Sequence, residues 1–144
     1  MKEFNLYKLK VVKDKSVSYS AIENTFDAGD FFMNLIGDSA EEILAVVGVN
    51  CQGEPICGFE VSHGDVTSSI VQPAAIFKRL LQFSNVTGFF VSHNHPSSSL
   101  DFSTQDIKVT KSLKRAGSLL GIKLLDHILV TDSGYLSARA EGLF

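Results

Sequence analysis

The residues whose types and spacing could do chemistry are His93-Asn94-His95-Pro96, followed by Ser103 and Asp106. Two imidazoles and a carboxylate make a donor set for a divalent cation, and three protein ligands leave one position open. An open position suits catalysis, because it holds a water whose pKa the metal lowers to about 7. The chemistry expected is metal-dependent hydrolysis. A plainer reading competes with it: Ser103-x-x-Asp106 is also close to a helix capping box, which satisfies backbone N–H groups without any metal. A lone His-x-His, likewise, is commonly surface or packing chemistry.

The surrounding chain must position these residues. Residues 85–92 are β-branched and aromatic with Asn and Gly at the start, which predicts a buried strand running into His93. Side chains two apart on a strand share a face, with Cα atoms roughly 6 to 7 Å apart, so both rings can reach one ion and Asn94 points away. Pro96 ends the strand, and a polar loop leads to an amphipathic helix over 103–116, with Asp106 in its first turn, where the free N–H groups favour a carboxylate. Gly117 is the expected stop of that helix.

The sequence His93-x-His95-Pro96, six residues, then Ser103-x-x-Asp106 resembles the JAMM motif of the JAB/MPN metalloprotease superfamily. The likeness is closest to its RadC-like branch, where this stretch typically reads His-Asn-His-Pro-Ser-Gly. It extends to Gly64-Asp65-Val66-Thr67-Ser68-Ser69 with Pro73, Ile76 and Phe77, and to Leu125-Asp126-His127-Ile128-Leu129-Val130, covering about residues 41–142. The resemblance implies that His93, His95 and Asp106 ligate one Zn2+, and that Glu42 is the general base. Glu41 is the adjacent competitor, but neighbours on a strand face opposite ways, so only one can face the metal. Ser103 would then hydrogen-bond the oxyanion, a role worth about 3 to 4 kcal/mol in other enzymes. Hydrolysis of a peptide or isopeptide amide bond is implied, with a protein or peptide substrate that these residues do not identify. This chain departs from the pattern at Ser98, Leu100 and Phe102, where glycine and prolines are common; glycine admits backbone conformations that serine resists, so a different loop path is expected.

The other candidate residues are weaker. His63 and His127 read as structural, although Asp126 and His127 could support the ligands from behind. Cys51 and Cys57 form no Cys-x-x-Cys pair, which argues against a zinc knuckle and against the Pro-Cys-x-x-Cys of zinc deaminases, and both read as reduced thiols. Lys108, Lys111, Lys114 and Arg115 could meet phosphates, and RadC-like proteins carry a traditional association with DNA repair. The alternative function is therefore a non-catalytic nucleic-acid- or protein-binding module. A net charge of −3 weakens the nucleic-acid reading, and lysines on one helix side usually form a solvated face.

With 144 residues, 44% of them hydrophobic, the chain suits one core. No apolar run approaches a membrane span and the charged start lacks a secretory segment, so no membrane partner and a cytoplasmic location are expected. The fold class expected is α/β, a mixed central β-sheet flanked by helices, which the resemblance specifies as the three-layer, cytidine-deaminase-like JAB/MPN fold. Helices are expected over 28–36 and 74–83, and strands over 43–49, 55–61, 123–130 and 135–138, with a short strand at 8–13. Residues 1–27 are expected to form an edge strand and a variable segment, and 28–144 the domain proper.

Overall fold

The computed structural model describes residues 1–63 and 71–144, excluding the His63 side chain. The Gly64 to Ser69 part of the family likeness and the reading of the His63 side chain lie outside the described residues. The elements run α1 (Thr25–Ile36), β1 (Ile43–Val49), β2 (Pro55–His63), α2 (Pro73–Leu80), β3 (Gly88–Asn94), α3 (Thr104–Leu120), β4 (Lys123–Val130) and β5 (Tyr135–Ser137). The strands form one sheet in the order β2-β1-β3-β4-β5. Its pairings are antiparallel except β3 with β4, which are parallel and joined by the crossover helix α3.

Alternation along the strands sorts the core into two halves. Leu44, Val46, Phe89, Val91 and Leu124 pack with Ile76, Phe77 and Leu80 of α2 and Leu113 of α3. Ile43, Ala45, Val47, Val49, Ile128 and Val130 pack with Ala28, Phe32 and Ile36 of α1 on the opposite face. The molecule is thus three layers, α1, sheet, and α2 with α3, and the expected α/β class with a mixed, helix-flanked sheet is what the chain adopts. Strand β1 is buried along its whole length, as an interior strand covered on both faces must be.

Strand β4 carries a register shift. Phe89 pairs with Leu124, but Phe90 pairs with Asp126 and Val91 with His127. The extra residue, Leu125, is a β-bulge. Beyond it His127 lies on the same face as Val91 and His93, and Asp126 on the other.

Three expectations need correction. Residues 8–13 form no strand: Leu9, Val11 and Val12 are exposed, and among the described residues no neighbouring strand supplies the ladder that alternation alone cannot provide. Helix α3 does not stop at Gly117 but runs to Leu120 and closes on Gly121, whose φ of 75° is the left-handed cap conformation. Gly117 lies inside the helix because a Cβ there would run into the Ile122 carbonyl oxygen as the chain turns back toward the sheet. The loop after His95 does not avoid the glycine-like conformation, because Ser98 itself adopts φ 64°.

Candidate metal centre

Each candidate residue sits at the end of an element. His93 lies in β3 and His95 one residue beyond it, with Leu44 of β1 and Leu129 of β4 paired across from His93. Glu42 immediately precedes β1 and follows the alternation of Leu44 and Val46, the face that His93 also uses. Glu41 follows the phase of Ile43 and Ala45, the α1 face. Asp106 starts a buried stripe on α3 with Thr110, Leu113 and Gly117, spaced so that one side of the helix lies on the sheet.

These ends converge. The Nε2 atoms of His93 and His95 are 3.1 Å apart, and the Asp106 carboxylate oxygen Oδ2 lies 3.3 Å from the first and 3.6 Å from the second. Donor atoms at about 2.0 to 2.1 Å around a tetrahedral cation lie about 3.3 Å from one another, so the three ligand atoms have the spacing one ion requires. The chemistry of the donors fits as well. The Nδ1 of His95 is 2.9 Å from the Ser99 carbonyl oxygen, which only accepts; Nδ1 therefore carries the proton, and in the neutral imidazole Nε2 offers its lone pair toward His93 and Asp106. Lone pairs and a carboxylate oxygen facing one point repel unless a cation lies among them.

Both readings of Ser103-x-x-Asp106 hold together. The Ser103 amide donates to Asp106 Oδ2 at 2.8 Å and the Asp106 amide to Ser103 Oγ at 3.0 Å, a complete capping box. The same Oδ2 also faces both histidines. Burial opposes ionisation of Asp106, but the bonds from Ser103, and the hydrogen bond and charge that His93 offers whenever its ring is protonated, outweigh it and hold the carboxyl well below the usual carboxylate range. Ser103 Oγ accepts in this box, which leaves its own proton to donate elsewhere. The Oε1 atom of Glu42 is 3.8 Å from His95 Nε2, on the rim of the cluster.

Behind the candidate ligands lie three polar residues, Asn94, His127 and Thr110, of which the sequence points only to His127 as a supporting group. Asn94 is fully buried on the α1 face; its Oδ1 accepts the Ile43 amide at 2.7 Å and its Nδ2 donates to the carbonyls of Glu41 at 2.9 Å and Ser39 at 3.3 Å. His127 Nε2 is 2.7 Å from His93 Nδ1, and His127 Nδ1 is 2.6 Å from Thr110 Oγ1, which donates to the Asp106 carbonyl at 2.7 Å. Burial pushes the His127 pKa well below the ordinary histidine value, aided by the charges of His93 and His95 and opposed by that of Asp106. The signal that could have found Thr110 is its place four residues after Asp106 on the buried stripe.

The remaining candidates lie apart. Asp126 is on the opposite face, where it accepts from the amides of His127 and Arg139 and from the Ser137 hydroxyl. Lys108, Lys111, Lys114 and Arg115 are exposed along α3, with Lys114 over the Phe144 ring. Cys51 and Cys57 are free thiols. No helix among the described residues is long and apolar enough to cross a membrane.

Comparison with known proteins agrees with the architecture. The model of the RadC-like JAB domain matches residues 22–143. The UPF0758 protein of Flavobacterium johnsoniae is 34% identical over 123 residues, which cover 85% of this chain and 53% of the relative. That of Clostridioides difficile is 33% identical over 130 residues, covering 90% and 54%, and that of Staphylococcus carnosus 37% over 118 residues, covering 82% and 52%. The chain spans about half the length of the curated relatives it matches. With most of its residues under the family's model and its sheet, helices and His-His-Asp cluster in place, the chain belongs to the RadC-like JAB domain family.

Proposed function

We propose that this chain is a zinc-dependent hydrolase of peptide or isopeptide amide bonds. One observation carries the reading: the Nε2 atoms of His93 and His95 and the Oδ2 of Asp106 converge at 3.1 to 3.6 Å, with the Glu42 carboxylate at the rim. Two imidazoles and one carboxylate with an open position favour zinc among the common divalent ions. When bound, the ion supplies Lewis acidity and a water acidic enough to yield hydroxide near neutral pH.

The chain's own residues do the rest. Glu42 takes the proton of the attacking water and returns it to the leaving amine, so that the C–N bond breaks without expelling an amide anion. The Ser103 hydroxyl, whose oxygen is already held by the Asp106 amide, donates to the oxyanion developing on the attacked carbonyl. The amide substrate class rests on the resemblance to the JAB/MPN metalloproteases.

The test is metal content by mass spectrometry on protein purified without a histidine tag, beside a His93→Ala, His95→Ala variant, followed by peptide-cleavage assays on wild type and Glu42→Gln. About one zinc per chain, lost in the double variant, is expected; Glu42→Gln should keep the metal and lose roughly a hundredfold or more in rate. A wild type that takes up no zinc even when it is offered would refute the reading.

A further inference from the structure

We propose that Thr110 and His127 are positioning residues that fix the tautomer of His93, placing its proton on Nδ1 and leaving Nε2 bare toward His95 and Asp106. The importance of a bare Nε2 rests on the metal reading above; the tautomer itself does not.

The argument follows the hydrogen bonds from the end where their polarity is certain. The Asp106 carbonyl oxygen has no proton, so in its 2.7 Å contact with Thr110 the hydroxyl donates. A hydroxyl has one proton, and it is now used. The 2.6 Å contact between Thr110 Oγ1 and His127 Nδ1 must therefore be donated by the imidazole. His127 is 2% exposed, and its ring packs against His93 and Phe102. Among the described residues, neither of its ring nitrogens is hydrogen-bonded to a carboxylate. A second proton would bury a cation in that enclosure without a hydrogen-bonded counter-ion, so the neutral ring is the form that fits it. With Nδ1 protonated and the ring neutral, Nε2 can only accept. The 2.7 Å contact to His93 is therefore donated by His93 Nδ1, and the His93 Nε2 keeps its lone pair.

Two features of the fold are needed for this relay. The bulge at Leu125 brings His127 onto the face of His93. The helical spacing of Asp106 and Thr110 supplies the terminal acceptor from the residue that also contributes a ligand oxygen. His95 reaches the same proton arrangement by a shorter route, through the Ser99 carbonyl. The two rings are thus set independently, one by a loop and one by the buried relay.

Nitrogen-15 NMR of metal-free protein labelled at histidine tests the proposal, since the chain has only four histidines to assign. In wild type, His93 should carry its proton on Nδ1, and His127 likewise. Thr110→Val removes the acceptor and should reduce the Nδ1-protonated fraction of His93 and weaken zinc binding tenfold to a hundredfold, while Thr110→Ser restores both. A His93 proton on Nε2 in wild type, or a tautomer unchanged in a folded Thr110→Val, would overturn the relay. If wild type shows the stated tautomers yet takes up no zinc, the relay stands and the metal reading falls. The wild-type measurement decides the matter even if Thr110→Val fails to fold.

Discussion

The Asn94 side-chain oxygen accepts the amide of Ile43 at 2.7 Å, one residue past Glu42, while its nitrogen donates to the carbonyl of Glu41, one residue before. The residue between the two histidines thus grips the backbone on both sides of the proposed base. Asn94→Ala removes the partner of the buried Ile43 N–H and of the Ser39 and Glu41 carbonyls, at about 1 to 3 kcal/mol for each group left buried and unsatisfied. We expect a loss of roughly 2 to 4 kcal/mol in urea melts, and slower cleavage with zinc still bound.

Asp106 serves α3 and the candidate metal centre through one oxygen, and two substitutions separate the roles. Asp106→Asn keeps an oxygen to accept the Ser103 amide but loses the negative charge. Asp106→Ala loses both. Zinc binding should fall in both variants, whereas thermal melts of the metal-free proteins should show Asp106→Ala less stable by about 1 kcal/mol than Asp106→Asn.

Ser98 holds φ 64° in the turn where its amide reaches the His95 carbonyl, and its hydroxyl donates to Asp132 at 3.1 Å on the exposed surface. The left-handed conformation costs a non-glycine residue about 1 kcal/mol or more. Ser98→Ala, which keeps the strain and loses the hydrogen bond, should lower stability by about 0.5 to 1 kcal/mol, while Ser98→Gly, which loses the same bond but relieves the strain, should be more stable than Ser98→Ala by about 1 kcal/mol and lie close to wild type. Denaturant midpoints of the two variants and wild type decide this.

Asp126 gives a pH signature distinct from the candidate metal ligands. Burial pushes its carboxyl pKa above the ordinary 3.8, against hydrogen bonds from Ser137, Arg139 and His127. Between 3.8 and the raised value the folded chain holds a proton that the unfolded chain has released, so this group's contribution is full below 3.8 and is lost as pH rises through the folded value. The stability of wild type minus that of Asp126→Asn should fall across that window by at most about 1.4 kcal/mol per pH unit and be flat above it. A difference that rises with pH would contradict this assignment.

Much of the centre was legible because its signals are local. His93, His95 and Asp106 lie within 14 consecutive residues whose order can be read directly, and β1 and β4 begin and end where their apolar runs do. Glu42 needed the family resemblance to be chosen, and strand parity then puts it on the face of His93. The supporting residues depend on contacts that no short window contains. Strict alternation from Leu124 assigns Asp126 to its face and His127 to the opposite one; only the bulge at Leu125 reverses this. The direction of Asn94 followed from alternation, but its partners lie 51 to 55 positions earlier in the chain. At residues 8–13 alternation misled for the converse reason, since a pattern that suits a strand makes none without a neighbour.

The capping box of α3 has one more consequence. Because Asp106 Oδ2 holds the Ser103 amide while facing both histidines, an ion that immobilises this carboxylate also restrains the first turn of the helix. Local opening there exposes amides to solvent exchange, so deuterium uptake at Ser103 and Asp106 should slow as the site fills, giving a gauge of occupancy that requires no substrate.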